Sequence, residues 1–335
     1  MTRAKLDRPS DRGASQTRHM RMMPKAFGAL LKLALAWLIL RSGAAAKPPA
    51  VVAEGDPQAK VDGTFGKDWV RVRYDSKHSP LAMETAIVRY VPSGLAKQAS
   101  DPNLTVDLVA AVHVGDAAYY EALNKKFESY DALLYELVAP EGTIVEKGRG
   151  TSNSHPLGAI QNGMKSMLAL DHQLEKVDYT KQNFVHADMS PDQFLQAMKN
   201  RNEGFLQMYM RLLGHTLGAQ SEMMANGESP DVAIFAALFA DDRPLRLKKI
   251  LAQQLADTEE ILTSFGGEEG SVLISDRNQA ALKVLRREIG AGKKHLAIFY
   301  GAGHLADMDK RLRDDFGLKP VEITWLTAWD LAPKK

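Results

Sequence analysis

The sequence predicts an α/β (α+β) fold: two related β-α-β halves forming one sheet, with a large helical insertion between them. Three observations predict it. Leu104–Val112 is an apolar strand and Ala132–Val138 is apolar on both faces, and they flank a helical stretch, Asp116–Tyr130, as strands of a parallel sheet covered on both sides do. The same order returns as His295–Tyr300, a helix from His304 to Phe316, and Val321–Leu326. Between the two stretches, about 188–265, the chain reads as mostly helical.

Each element has a local reason. Trp69–Tyr74 alternates polar and apolar residues like a half-buried strand, and Ala86–Val91 is a second strand that Pro92-Ser93-Gly94 turns. Ser190-Pro191 reads as a helix start, an N-cap followed by Pro at the first helical position. Helical stretches follow around Gln193–Asn200, Leu206–Met224, Val232–Phe239 and Leu245–Phe265. Ser275 reads as the cap of a helix running to Ile289, which Gly290-Ala291-Gly292 ends, and Gly317 ends the helix after His304. Residues 67–330 form one domain on this reading.

The N-terminus carries a different signal. Residues 1–46 hold nine Lys/Arg against Asp7 and Asp11, and the rest of the chain holds 34 basic and 39 acidic residues. The basic start leads into the apolar run Ala26–Leu40 and then Ala44-Ala45-Ala46, the three parts of a secretory signal peptide. Residues 47–66 read as a linker. The alternative is an uncleaved anchor with peripheral membrane association, although the run is shorter than the ~20 residues that span a bilayer. The basic excess lies outside the domain, so no nucleic acid is expected as partner. With no cysteine in the chain, disulfides, thiolate metal sites and cysteine nucleophiles are excluded.

Ligands of open parallel sheets bind beyond the carboxyl ends of the strands. His113 and His304 each fall there, just past a strand and before a helix. Glu136 sits in the apolar run Ala132–Val138, where a carboxylate is costly unless it meets a cation or reaches water at the strand end. Two histidines and one carboxylate are a recognised ligand set for a divalent ion. Arg277 shares a helix face with Ala281, Val284 and Leu285 and therefore points inward, where Glu136, Asp188 or a developing oxyanion would balance it. A purely structural ion pair would satisfy the same pattern. Asp188, paired in sequence with His186, also reads as a capping or surface residue. No phosphate loop, Gly-x-Ser-x-Gly or His-Glu-x-x-His is present.

With these residues in view, the chain resembles the TraB/GumN/Tiki superfamily over roughly residues 86–327. Val109-Ala110-Ala111-Val112-His113-Val114-Gly115 is similar to the family's first Gly-x-x-His block, and Tyr135-Glu136-Leu137 to its Glu-bearing strand. Asp276-Arg277-Asn278 resembles the Arg-bearing motif, and Gly301-Ala302-Gly303-His304 the second Gly-x-x-His block. Ala110 stands where the first block usually has Gly, and Met189 where relatives often carry Arg. The resemblance implies two related halves whose polar residues meet between them. Animal Tiki proteins are divalent-metal-dependent proteases, whereas distant relatives include erythromycin-esterase-like and haem-iron-binding proteins, so kinship of fold leaves the reaction open.

The expectation is an exported metal-dependent hydrolase, a peptidase or a hydrolase of small esters or amides. His113, Glu136 and His304 would hold Mn²⁺, Co²⁺ or Zn²⁺, Arg277 with Asn278 would stabilise an oxyanion, and Asp188 would orient a ligand. The alternative is a non-catalytic protein that binds a metal, haem or a peptide signal in the same cleft.

Overall fold

A strand that is apolar on both faces needs cover on both faces, and that requirement organises this chain. The structure, a computed structural model, describes residues 68–94, 101–140, 168–201, 236–264 and 271–333, together with residues 142, 143, 145 and 234. The expected leader, the linker and the helical stretch Leu206–Met224 lie outside the described residues.

Its mixed α/β sheet has seven strands. The long β2 (Pro80–Pro92) is flanked along one edge by β9 (Leu318–Asp330), antiparallel. Along its other edge β1 (Val70–Tyr74) and β3 (Thr105–Ala111) lie end to end, both antiparallel. From β3 the sheet continues in parallel through β8 (His295–Gly301), β5 (Ala132–Tyr135) and β7 (Phe184–His186). The three central parallel strands are buried along almost their whole length, as their apolar runs require.

Helix α1 (Ala117–Phe127) carries the chain from β3 to β5 across β8. A second β-α-β unit runs from β8 through an α-helix, Leu305–Asp314, to β9, and spans β3 and β2. The units interlock, because β8 lies between the two strands of the first. A small two-stranded ribbon, β4 (Val114–Gly115) with β6 (Asp171–His172), leads into the single-turn helix α2 (Gln173–Lys176) and draws Gln173 beside His113. There the Gln173 N–H donates to the His113 carbonyl at 2.9 Å.

Among the described helices of the expected insertion are α3 (Pro191–Asn200) and α4 (Arg243–Ser264), and residues 234 and 236–238 are helical as well. α3 starts at the predicted place: Ser190 and Gln193 form a reciprocal capping box, with Pro191 in the first turn. The next helix, α5 (Arg277–Gly290), departs from expectation. Ser275 is not its cap, because a π-helical turn, Val272–Asp276, runs straight into it. The extended residue at the start is Ser271, whose carbonyl accepts from Ser275 N–H at 2.8 Å and Asp276 N–H at 3.2 Å. This moves the positive end of the helical dipole about one turn away from Arg277. The last helix, α6 (Leu305–Asp314), begins after a 3₁₀ turn, Ala302–His304.

Asp107, near the middle of β3, is 1% exposed. Cross-strand register sets Arg89 of β2 opposite it, and the guanidinium donates to both carboxylate oxygens at 2.9 Å. The Tyr130 hydroxyl adds a third bond at 2.7 Å. Asp107→Leu should lower the unfolding free energy by about 2 kcal/mol, because it leaves the buried Tyr130 hydroxyl without its acceptor. A urea titration that gives the wild-type midpoint would contradict this.

Candidate active site

The four parallel strands end side by side, and just beyond each carboxyl end stands one polar residue. His113 follows β3 (Thr105–Ala111), Glu136 follows β5 (Ala132–Tyr135), Asp188 follows β7 (Phe184–His186), and His304 ends the 3₁₀ turn after β8 (His295–Gly301). Ladder pairs such as Ala111 with Gly301, Tyr135 with Phe299 and Tyr135 with His186 fix these ends level with one another. Arg277 enters from the first residue of α5.

Arg277 is the centre of the cluster. Its Nε donates to Asp188 Oδ1 at 3.0 Å and its Nη2 to Asp188 Oδ2 at 2.6 Å, a bidentate pair. The same Nη2 donates to Glu136 Oε1 at 2.7 Å, and Nη1 lies 3.4 Å from His304 Nε2. The Asp188 side chain is 0% exposed and the cap of α3 is Ser190, so Asp188 is neither the capping nor the surface residue the sequence also allowed. His186, its neighbour in sequence, turns elsewhere: its Nε2 lies 2.6 Å from the Leu137 carbonyl.

Glu136 is held from a second side by the backbone. Gly301 N–H donates to Glu136 Oε2 at 2.7 Å, and a Cβ at Gly301 would stand only 3.2 Å from that oxygen. Burial alone would push the Glu136 carboxyl up. The charges of Arg277, His304 and His113, with the Gly301 bond, outweigh it and hold the group down at about 2. The His113 carbonyl receives Gln173, and its imidazole is near enough to act on Glu136.

Asn278 has a different place from the one the sequence suggested. It is 0% exposed, and its Nδ2 donates to the His304 carbonyl at 2.9 Å and to Asp307 Oδ2 at 2.8 Å. Its Oδ1 lies 2.7 Å from His304 Nδ1. With its amide nitrogen committed to two acceptors, Asn278 offers only an oxygen to the imidazole, so His304 Nδ1 carries the proton. Burial pushes the His304 imidazole down to about 4, against the pull of Glu136, so at neutral pH it is uncharged. Its Nε2 lone pair then faces the cluster, 3.4 Å from Arg277 Nη1 and 3.7 Å from Glu136 Oε1. Asn278 fixes a histidine here; it does not present a donor to an oxyanion.

Sequence reasoning missed the Gly301 N–H, Asp307, and Tyr300, whose hydroxyl donates to the Ala187 carbonyl beside Asp188. Only Asp307 left a signal, three residues after His304 on a helix.

Among the described residues, no group of three or more His, Asp or Glu side chains is drawn up around a point where a metal ion would sit. The donor chemistry still suits one. Two carboxylates share a single guanidinium, so Glu136, Asp188 and Arg277 carry an excess negative charge, and His304 contributes a neutral nitrogen lone pair. The separation of His304 Nε2 and Glu136 Oε1, 3.7 Å, is close to the ~3.4 Å edge of a tetrahedron with bonds of ~2.1 Å.

Comparison of the chain with protein-family models, curated proteins and solved structures returned no match. The site is therefore read from its own chemistry.

Two outcomes follow. Arg277→Met leaves two buried carboxylates without a cation and should cost about 3–5 kcal/mol of stability at neutral pH, measured by chemical denaturation. Acidification should destabilise the wild type as well. His304 binds its proton only near pH 4 in the folded state but near 6.5 when unfolded. Its contribution is complete above pH ~6.5 and lost as pH falls through ~4, on the order of 3 kcal/mol. His304→Gln should flatten the stability profile between pH 7 and 4.5; an unchanged slope would count against a buried neutral imidazole.

Proposed function

We propose that the chain is a metal-dependent hydrolase of amide or ester bonds, with peptides as its first candidate substrates. The observation that carries this reading is the excess negative charge of the Glu136–Arg277–Asp188 cluster, faced by a neutral His304 whose lone pair is aimed at it. A buried cluster of that sign attracts a cation, and an imidazole in that tautomer is a ligand. His113, Glu136 and His304 would hold a divalent ion such as Mn²⁺, Co²⁺ or Zn²⁺. Bound there, the ion would supply Lewis-acid polarisation of the scissile carbonyl.

The chain's own residues do the rest. Asp188 anchors the Arg277 fork through Nε and Nη2, which leaves Nη1 as the guanidinium nitrogen outside the ion pairs. That N–H is the donor available to an oxygen that gains charge in the reaction. Gly301 N–H keeps Glu136 turned into the cluster, and Asn278 keeps the proton of His304 on the side away from it.

Membership of the TraB/GumN/Tiki superfamily, with its two related β-α-β halves, belongs to this proposal on the strength of the motifs, as does export through the segment ending at Ala46. Among the described residues no helix is long and apolar enough to cross a membrane.

A second reading, a binding protein without catalysis, draws on the engagement of Glu136 Oε1 by Arg277 Nη2 at 2.7 Å, which already gives that oxygen a cation. One experiment separates the two. Purified protein, stripped with chelator, is assayed on quenched fluorescent peptides and aryl esters with and without Mn²⁺, Co²⁺ or Zn²⁺. Hydrolysis restored by metal, lost with the bound metal in Glu136→Gln, and reduced about 10²–10³-fold with metal retained in Arg277→Lys is the expected result. Hydrolysis that persists in chelator, or ligand-dependent stabilisation with no turnover, overturns it.

A further inference from the structure

Asn278 fixes His304 only if its own amide cannot turn over, and the restraint on that amide comes from outside the cluster. α6 places Asp307 three residues and Arg311 seven residues after His304, the two forming an i,i+4 pair on one helix face. A single oxygen, Asp307 Oδ2, accepts from Arg311 Nε at 2.7 Å and from Asn278 Nδ2 at 2.8 Å. The second Asn278 N–H goes to the His304 carbonyl at 2.9 Å. Inverting the amide would break both bonds and set Asn278 Oδ1 against a carbonyl oxygen and a carboxylate. Arg311 is about a quarter exposed and Asn278 is fully buried, so the chain of contacts runs from the surface to the imidazole.

We propose that Asp307 and Arg311 are positioning residues that act through Asn278 to keep the His304 proton on Nδ1 and its Nε2 lone pair turned toward the Arg277–Glu136 cluster. The functional value of that tautomer rests on the hydrolase reading; the tautomer itself does not. A helix-surface ion pair with no further task would contribute little and would leave His304 untouched. Outer partners of a ligating or catalytic histidine behave otherwise, since they set its tautomer and orientation.

The test is ¹⁵N NMR of the histidine ring nitrogens in the full chain, stripped with chelator, with the His304 signals assigned by their loss in His304→Gln. Wild type at neutral pH should show one His304 tautomer, protonated on Nδ1. Asp307→Ala should add a population protonated on Nε2, and should lower kcat for a quenched fluorescent peptide about 10–100-fold with KM unchanged. Asp307→Asn, which keeps an acceptor oxygen, should restore the single tautomer and the rate. Arg311→Met should shift the tautomer in the same direction but less, and it decides the matter if Asp307→Ala does not fold. A lone Nδ1 tautomer in Asp307→Ala, or in Arg311→Met where that variant has to decide, overturns the assignment whether or not the chain cleaves peptides. A shifted tautomer in a chain without hydrolytic activity supports the assignment and removes the hydrolase reading alone.

Discussion

The fork of Arg277 holds three separate pieces of chain at one point. Through Asp188 it ties the end of β7, through Glu136 the end of β5, and through its own backbone the start of α5. Burying a guanidinium and two carboxylates costs several kcal/mol per charge in lost hydration, which their mutual attraction recovers only with good geometry. The geometry here is bidentate and short on the Asp188 side and is reinforced by Gly301 N–H on the Glu136 side. Removing any one member leaves its partners charged in a dry place. The cluster therefore acts as a specificity constraint more than a source of net stability: strand ends in any other register could not close it.

What was legible in the sequence follows from how far each signal reaches. The strands of the parallel core announce themselves because Leu104–Val112, Ala132–Val138 and His295–Tyr300 are predominantly apolar runs. The inward direction of Arg277 could be counted along its helix, and its need for an anion followed from burial alone; the structure supplies two. β7 was not legible, because three half-buried residues carry no periodicity. The π-helical turn was missed because Ser275-Asp276 imitates an N-cap, and only the pairing of Asp276 with Arg201 at 2.7 Å shows where that carboxylate goes. The Asn278–His304 contact joins residues 26 apart in sequence, and no local pattern encodes it.

Asp276, Arg277 and Asn278 show how much one tripeptide can organise. Asp276 receives Arg201 from the end of α3, Arg277 receives Glu136 and Asp188, and Asn278 meets His304 and Asp307. Three consecutive residues of a helix point about 100° apart, so each addresses a different neighbour. A sequence motif of this kind records a junction of elements, which is why it stands out even where the segments around it carry weak signals.

Other carboxylates of the same fold, buried or at its surface, offer a comparison for the cluster. Asp107 and Glu322 meet Arg89 and Lys126, two charges of each sign. Glu84 has Arg71 and Arg73, and Asp116 has Lys248. In these pairings the chain matches or exceeds its acids with bases. At the carboxyl ends of the parallel strands it does the reverse, giving two acids one base and setting an uncharged imidazole beside them. That contrast supports the proposal that a cationic ligand supplies the positive charge this cluster lacks.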